Sequence, residues 1–313
     1  MQTESVIATD GGALPHLHTT IRLDRPLDLQ LTLGMLWRGR RDHTMLVSRG
    51  EICRATRTPM GSATERLRSN GDSLDVEAWG AGAQWCIEHA PTLIGERDSN
   101  ADFHPRHPLL AELHRRMPGL RIPRTEAVLE AMLPLIIEQK VAGPEARDAY
   151  GQLVDAFGEA APGPLGLRLI PVAALLARTP YWAMHRFGIE RRRAETISAA
   201  AVLSKRVEET VAMPLGDARR RLLAVPGVGP WTAAEVALVA LGDADAVSLG
   251  DYHNPHVVSW ALAGEARGDD QRMLELLEPY RGQRGRVIRL LNAAGIGAPR
   301  FGPRMRLRNI AAN

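Results

Sequence analysis

A chain of 313 residues, 45% hydrophobic and 24% charged, can hold two domains, or three small ones, and bury a sizeable core. Its longest apolar runs, such as 236–241, are far too short to cross a membrane, and 1–20 lacks the basic start and apolar core of a secretory signal. The expectation is a soluble, cytoplasmic protein, and a formal charge of +3 with a pI near 9.2 permits a nucleic-acid partner without demonstrating one.

Cys53 and Cys86 are too few for a four-thiolate zinc or iron–sulfur site, and in a cytosolic chain two reduced, buried thiols are expected. Of the 39 basic residues only Lys140 and Lys205 are lysines, which limits amine chemistry.

Up to residue 100 short segments alternate in the manner of strands. Strands are predicted at 17–23, 44–58 and 73–79; in the last, Leu74, Val76 and Ala78 share a face and follow the turn sequence Asn70-Gly71-Asp72-Ser73. Helices at 29–37 and 83–88 are expected to pack on that sheet, and the polar loop 95–108 marks a boundary. Beyond it helical spacing dominates. Leu129, Met132, Leu133 and Ile136 fall on one face, with Pro134 expected to kink or interrupt the helix. Further helices are predicted at 145–158, 190–204, 217–224, 230–242, 252–263 and 270–278, and around Val287, Leu290, Leu291 and Ala294. Gly188, Gly216, Gly264 and Gly295 stand where helices should stop. Tyr181, Trp182 and His185 read as bundle core, and Arg300, Arg304, Arg306 and Arg308 as part of an extended basic arm. The expected fold is mainly α: a small N-terminal α/β domain with an antiparallel sheet (1–100), a helical bundle (101–300) and the arm (301–313).

The most informative stretch is Leu222-Leu223-Ala224-Val225-Pro226-Gly227-Val228-Gly229-Pro230-Trp231-Thr232-Ala233. One helix ends at Val225, a Gly-x-Gly hairpin turns the chain, and Pro230 suits the first turn of the next helix. The two glycines are expected to take left-handed dihedrals, so that amides of Gly227, Val228, Gly229 and Thr232 approach a phosphate at a helix N-terminus. Alone, such a motif reads first as a plain helical corner with no ligand. Twenty-two positions beyond Gly229 lies Asp251, within Val247-Ser248-Leu249-Gly250-Asp251-Tyr252-His253. Alone, it reads as a helix N-cap.

Together, hairpin and aspartate resemble the helix-hairpin-helix DNA glycosylases, and among them the AlkA type. Glu138-Gln139-Lys140-Val141 resembles the turn that fills the gap left by a flipped nucleotide. The segment from Gly188 to Ile197 is similar to the helix start that precedes the hairpin, and Glu278-Pro279-Tyr280-Arg281 to the C-terminal aromatic-Arg motif. The likeness is strong over 125–295 and weak before 100.

The resemblance implies that Asp251 is the catalytic carboxylate and that Trp231, Glu235, Tyr252 and Tyr280 line a base pocket. Aromatic walls there gain from stacking on a cationic purine. Gly227, Val228, Gly229, Thr232, Gln139, Lys140, Arg281 and Arg284 are implied DNA contacts, the wedge falling on Lys140 or on Gln139 or Val141. Arg286 and Arg289 belong to the same basic run. Trp231 stands where bifunctional relatives carry the amine nucleophile, which implies hydrolysis without strand nicking. Glu235 departs from the aromatic residue of AlkA-type relatives, and a solvated surface glutamate is the bland reading. His253, Asn254 and His256 border Asp251 without a third ligand at metal spacing. No cofactor is implied except a monovalent cation on hairpin carbonyls. The implied partner is double-stranded DNA carrying damaged bases, with no membrane and no obligatory protein partner. The implied activity is excision of N3- or N7-methylated purines. Another lesion, a silent DNA-binding module, and a helical scaffold unrelated to DNA stand as alternatives.

Overall fold

The computed structural model describes residues 3–4, 15–101 and 103–299, so Arg300, Arg304, Arg306 and Arg308 lie outside the described residues. Strand-forming sequence is concentrated in the first third. The elements there are β1 (Thr3–Glu4), β2 (His16–Arg22), α1 (Leu29–Leu33), β3 (Met45–Ser48), β4 (Glu51–Thr58), β5 (Gly61–Asn70), β6 (Ser73–Trp79) and α2 (Ala83–Leu93). The strands form one antiparallel sheet in the order β1-β2-β6-β5-β4-β3. The predicted apolar face of β6 is its core face, since Leu74, Val76 and Ala78 are fully buried beneath α2 and beside Leu33 and Leu67.

Two strand expectations need correction. The single strand expected at 44–58 is a hairpin, β3 and β4, turned at Arg49 and Gly50, where Gly50 has φ +75°. β5 was not expected at all. Its alternation is broken by Glu65, which is 2% exposed and pairs with the equally buried Arg54 across the sheet at 3.3 Å. Arg54 also reaches Glu130 at 3.0 Å. Burial pushes the Glu65 carboxyl up to about 7 despite that arginine.

Helices follow: α3 (Pro108–Arg116), α4 (Val128–Ile137), α5 (Gly143–Phe157), the short hairpin β7 (Glu159–Ala160) and β8 (Arg168–Leu169), α6 (Ala173–Arg178), α7 (Tyr181–His185) and α8 (Arg191–Val202). The chain continues through α9 (Ser204–Glu208), α10 (Leu215–Leu223), α11 (Pro230–Val236), α12 (Asn254–Ala263), α13 (Asp270–Leu277) and α14 (Arg284–Ala293). α4 is the axis of the largest core: all its residues except Glu130 are buried, as a helix apolar on every side must be. It runs past Pro134 for another three residues, so the proline does not interrupt it. A second helical core gathers α3 and α12 to α14.

Gly264 and Gly295 end α12 and α14 with φ +70° and +69°, and Gly188 follows α7 with φ +78°. Gly216 does not stop a helix; it lies in the first turn of α10. Tyr181 and Trp182 are not core residues but are 42% and 67% exposed on the short α7, which the sequence reading did not resolve. Cys53 and Cys86 are free and buried, and burial raises both thiols. Among the described residues no helix is long and apolar enough to cross a membrane.

Candidate active site

α10 ends at Leu223, and the hairpin 225–229 delivers the chain into α11 with Pro230 at its first turn. Only one hairpin glycine is left-handed. Gly227 has φ +84°, and a Cβ there would lie 1.9 Å from Thr196 Oγ1 on α8. Gly229 is extended at φ −102°, with nothing within 4 Å of a would-be Cβ, so it provides open approach rather than an unusual dihedral. The Val228 amide donates to Val225 O at 3.0 Å and its side chain is buried, which removes Val228 from the expected donors. The first bond into α11 runs from Ala233 N to Gly229 O at 3.0 Å. The amides of Gly229, Trp231 and Thr232 therefore precede the helix's own ladder and have no acceptor among the described bonds.

Gln139, just past the end of α4, clamps this hairpin. Its Nε2 donates to Gly227 O at 3.2 Å and to Thr232 Oγ1 at 2.9 Å. The next residue, Lys140, is exposed and holds φ +57°. Thus Gln139 is held inward and Lys140 presents outward from the same turn.

After Val236 the helix widens into a π-helical turn, Ala237–Leu241, closed by Gly242 at φ +72°. The returning strand of chain brings Asp251 against Trp231, whose indole Nε1 donates to Asp251 Oδ2 at 2.8 Å. Oδ1 accepts the amides of His253 and Asn254, both at 2.7 Å, at the start of α12. Asp251 is thus a cap and the neighbour of the hairpin helix at once. Tyr252 is 74% exposed beside it, edge-on to His253 at 4.9 Å.

Glu235, one helical turn beyond Trp231, is half-buried, which overturns the solvated reading. Its Oε1 accepts the Ser248 hydroxyl, and the Asp251 amide donates to Ser248 O at 3.3 Å. Burial raises the Glu235 carboxyl; the charges of Asp251 and Glu138 add to this, while the Ser248 bond and Arg38 oppose it. Arg38 pairs with Glu138 at 3.1 Å. Arg289 donates to Leu31 O at 2.8 Å; burial lowers its guanidinium and the nearby Glu235 raises it. Ser248, Arg38 and Glu138 were missed as site residues. Ser248 carried a weak signal, three positions before Asp251, whereas the meeting of Arg38 with Glu138 across a hundred residues carried none.

Tyr280 and Arg284, implied as pocket wall and DNA contact, and Arg286 and Arg289 of the same basic run have side chains that are already occupied. Tyr280 is 7% exposed, packed near Phe103, and its hydroxyl accepts the His107 amide at 3.1 Å, so it is core rather than an open pocket wall. Arg284 forks onto Asp245, with Nε to Oδ1 at 2.8 Å. Arg286 is buried against Asp98, and Arg289 is held as described. Arg281 remains exposed but pairs locally with Glu278 at 2.7 Å. His256 accepts the Gly268 amide at 3.2 Å, and among the described residues no group of three metal-ligating side chains occurs.

No protein-family model matches the chain. Its fold is that of the helix-hairpin-helix DNA glycosylases. A 3-methyladenine DNA-glycosylase from Archaeoglobus fulgidus superposes with TM-score 0.71 at 19% identity, covering 87% of this chain and 97% of that one. An 8-oxoguanine glycosylase/lyase from Clostridium acetobutylicum superposes with TM-score 0.70 at 13% identity, covering 94% and 99%. The sequence is AlkA-like: it is 33% identical over 140 residues to a probable bifunctional transcriptional activator/DNA repair enzyme AlkA of Mycobacterium tuberculosis. That match takes in 44% of this chain and spans only 28% of the relative.

Proposed function

We propose that the protein is a monofunctional DNA glycosylase that hydrolyses the N-glycosidic bond of alkylated purines, N3- or N7-methylated, in double-stranded DNA. The observation that carries this is the Trp231–Asp251 bond, which fixes a carboxylate beside a hairpin whose amides are open to a phosphate. The Archaeoglobus structure is named a 3-methyladenine DNA-glycosylase and the Mycobacterium relative a probable DNA repair enzyme, which supports the lesion class and the repair role.

A base inside a duplex is out of reach, so the nucleotide is flipped, with Lys140 filling the stack from the turn that Gln139 anchors. Breaking the glycosidic bond leaves positive charge on the sugar, which the carboxylate of Asp251, held in place by Trp231, stabilises. Trp231 and Tyr252 offer the aromatic faces for the flipped base. No lysine stands on α11, so no amine attacks the sugar there and no strand nick follows. The carbonyls of Val225 and Gly227 each already accept one hydrogen bond and keep a second lone pair, which suits a monovalent cation that steadies the hairpin. On this reading 1–100 is a supporting domain and 101–300 the glycosylase bundle.

The test is single-turnover base release from duplexes carrying 7-methylguanine or 3-methyladenine, wild type beside Asp251→Asn, with and without hot alkali. Alkali-dependent breaks from wild type, lowered at least about a hundredfold by the substitution, are expected. Breaks without alkali would reject the monofunctional part; tight duplex binding without release would reject methylated purines as the substrate and leave another lesion or a silent DNA-binding module.

A further inference from the structure

We propose that Glu235 is a second catalytic residue, a proton donor to the departing base, which extends excision to purine lesions that are uncharged at neutral pH. This inference rests on the glycosylase reading of Asp251 and the hairpin. The two carboxylates lie on either side of Ser248 in contrasting surroundings. Asp251 meets three N–H donors, those of Trp231, His253 and Asn254, and each needs an oxygen lone pair. Glu235 meets a hydroxyl, which can turn to donate or to accept, and its Oε2 has no partner among the described side chains. Glu235 also shares a helical face with Trp231, so the acid and the partner of the charge-stabilising carboxylate point the same way.

The groups facing Glu235 come from four segments: Ser248 and Asp251 on the returning chain, Glu138 after α4, Arg38 before β3, and Arg289 on α14. Each arginine places one donor elsewhere, Arg38 on Glu138 at 3.1 Å and Arg289 on Leu31 O at 2.8 Å, and among the described residues neither donates a hydrogen bond to Glu235, although the Nε of each is buried without a partner. Burial and the two neighbouring carboxylates leave Glu235 above the usual carboxylate range. A pair of carboxylates whose environments push them apart divides the labour of acid and charge stabiliser.

A cationic alkylated purine departs as a neutral base and needs no acid. An uncharged purine lesion departs as an anion unless a ring nitrogen is protonated. In the proposed step the C1′–N bond breaks, its electron pair goes to the base, and the Glu235 O–H proton passes to a ring nitrogen. Water then forms the C1′–O bond and gives its proton to solvent, from which Glu235 is reprotonated.

The experiment is single-turnover release of hypoxanthine and of 7-methylguanine from matched duplexes between pH 5 and 9, with full-length wild type, Glu235→Gln and Glu235→Asp. In the wild type, hypoxanthine release is expected to fall about tenfold per pH unit on the alkaline side, and 7-methylguanine release to lack that limb over the range in which its own N1–H keeps the lesion cationic. Glu235→Gln is expected to lower the hypoxanthine to 7-methylguanine ratio about a hundredfold and to abolish the alkaline limb, and Glu235→Asp to restore part of both. Equal slowing of the two substrates by Glu235→Gln, a limb that survives it, or wild-type release of 7-methylguanine with none of hypoxanthine overturns the proposal and leaves the glycosylase reading standing. Release of neither base by the wild type overturns that reading, and this one with it.

Discussion

At the hairpin the chain keeps hydrogen-bonding groups free of one another; around α14 it commits each guanidinium to an acceptor of its own chain, though Arg289 Nε stays unpartnered among the described residues. The amides of Gly229, Trp231 and Thr232 have no acceptor among the described residues, and Lys140 and Tyr252 stand exposed nearby. Along 281–289, by contrast, Arg281 pairs with Glu278, Arg284 with Asp245, Arg286 with Asp98, and Arg289 caps Leu31. Both regions look like DNA contacts in sequence. The difference teaches that a run of arginines is ambiguous until its carboxylates are located, because those lie 39 and 188 positions away for Arg284 and Arg286. A backbone motif carries its own donors and is far less dependent on distant chain.

The largest effect that bears on this contrast is expected from Arg286→Met. Asp98 would be left buried with only the Ile122 amide, at 2.8 Å, as a described partner. Losing one member of a buried pair costs about 3–5 kcal/mol. Thermal unfolding should show the loss, and the double variant Asp98→Asn/Arg286→Met should be less destabilised than the sum of the singles. A variant of normal stability that binds DNA poorly would place Arg286 on the DNA side and dissolve the contrast.

Gly227→Ala comes next. A left-handed dihedral costs an alanine about 1 kcal/mol. The clash with Thr196 Oγ1 adds to this, because that hydroxyl is itself held on Arg192 O at 2.9 Å. A stability loss of about 2 kcal/mol is expected, with a weaker grip on undamaged duplex as well as on lesions, since a phosphate contact carries no sequence information. Gly229→Ala sharpens the point. It meets no atom within 4 Å and has an ordinary φ, so its stability should hold while close approach of a phosphate suffers. Duplex binding by both variants, measured beside their melting curves, separates fold from contact.

How much of this was legible follows the same line. The hairpin, and a position for Asp251 where its side chain accepts the amides at the start of α12, were readable because spacing and turn chemistry are local. So were β6, α5, α8 and α14, whose periodicity is clean. β5 was lost because Glu65, buried through its bond to Arg54, reads as a solvent-facing residue. α6, α7 and α9 are five or six residues long, too short for periodicity to register. Glu235 and Tyr280 were misjudged in opposite senses: the carboxylate lies half-buried beneath Ser248, and the aromatic is consumed by Phe103 and His107. In each case the deciding partner comes from another element, which a single sequence does not disclose.

The smallest effect gives the finest discrimination between the two regions. Lys140 is exposed on a left-handed turn that Gln139 ties to the hairpin, and its ammonium has no described carboxylate partner. Arg281 is also exposed but carries Glu278 at 2.7 Å. A cation that neutralises a phosphate contributes about one unit to the slope of log affinity against log salt, whereas a surface ion pair is worth about 0–1 kcal/mol and responds little to DNA. Lys140→Ala should therefore reduce the slope by about one and weaken binding to all duplexes alike. Arg281→Ala should change neither by more than about a third of that, because the charge it removes is already neutralised by Glu278 rather than by a phosphate. Should Arg281→Ala flatten the slope as much as Lys140→Ala, the Arg281–Glu278 pair opens on DNA, and local pairing would no longer disqualify a surface arginine from the interface.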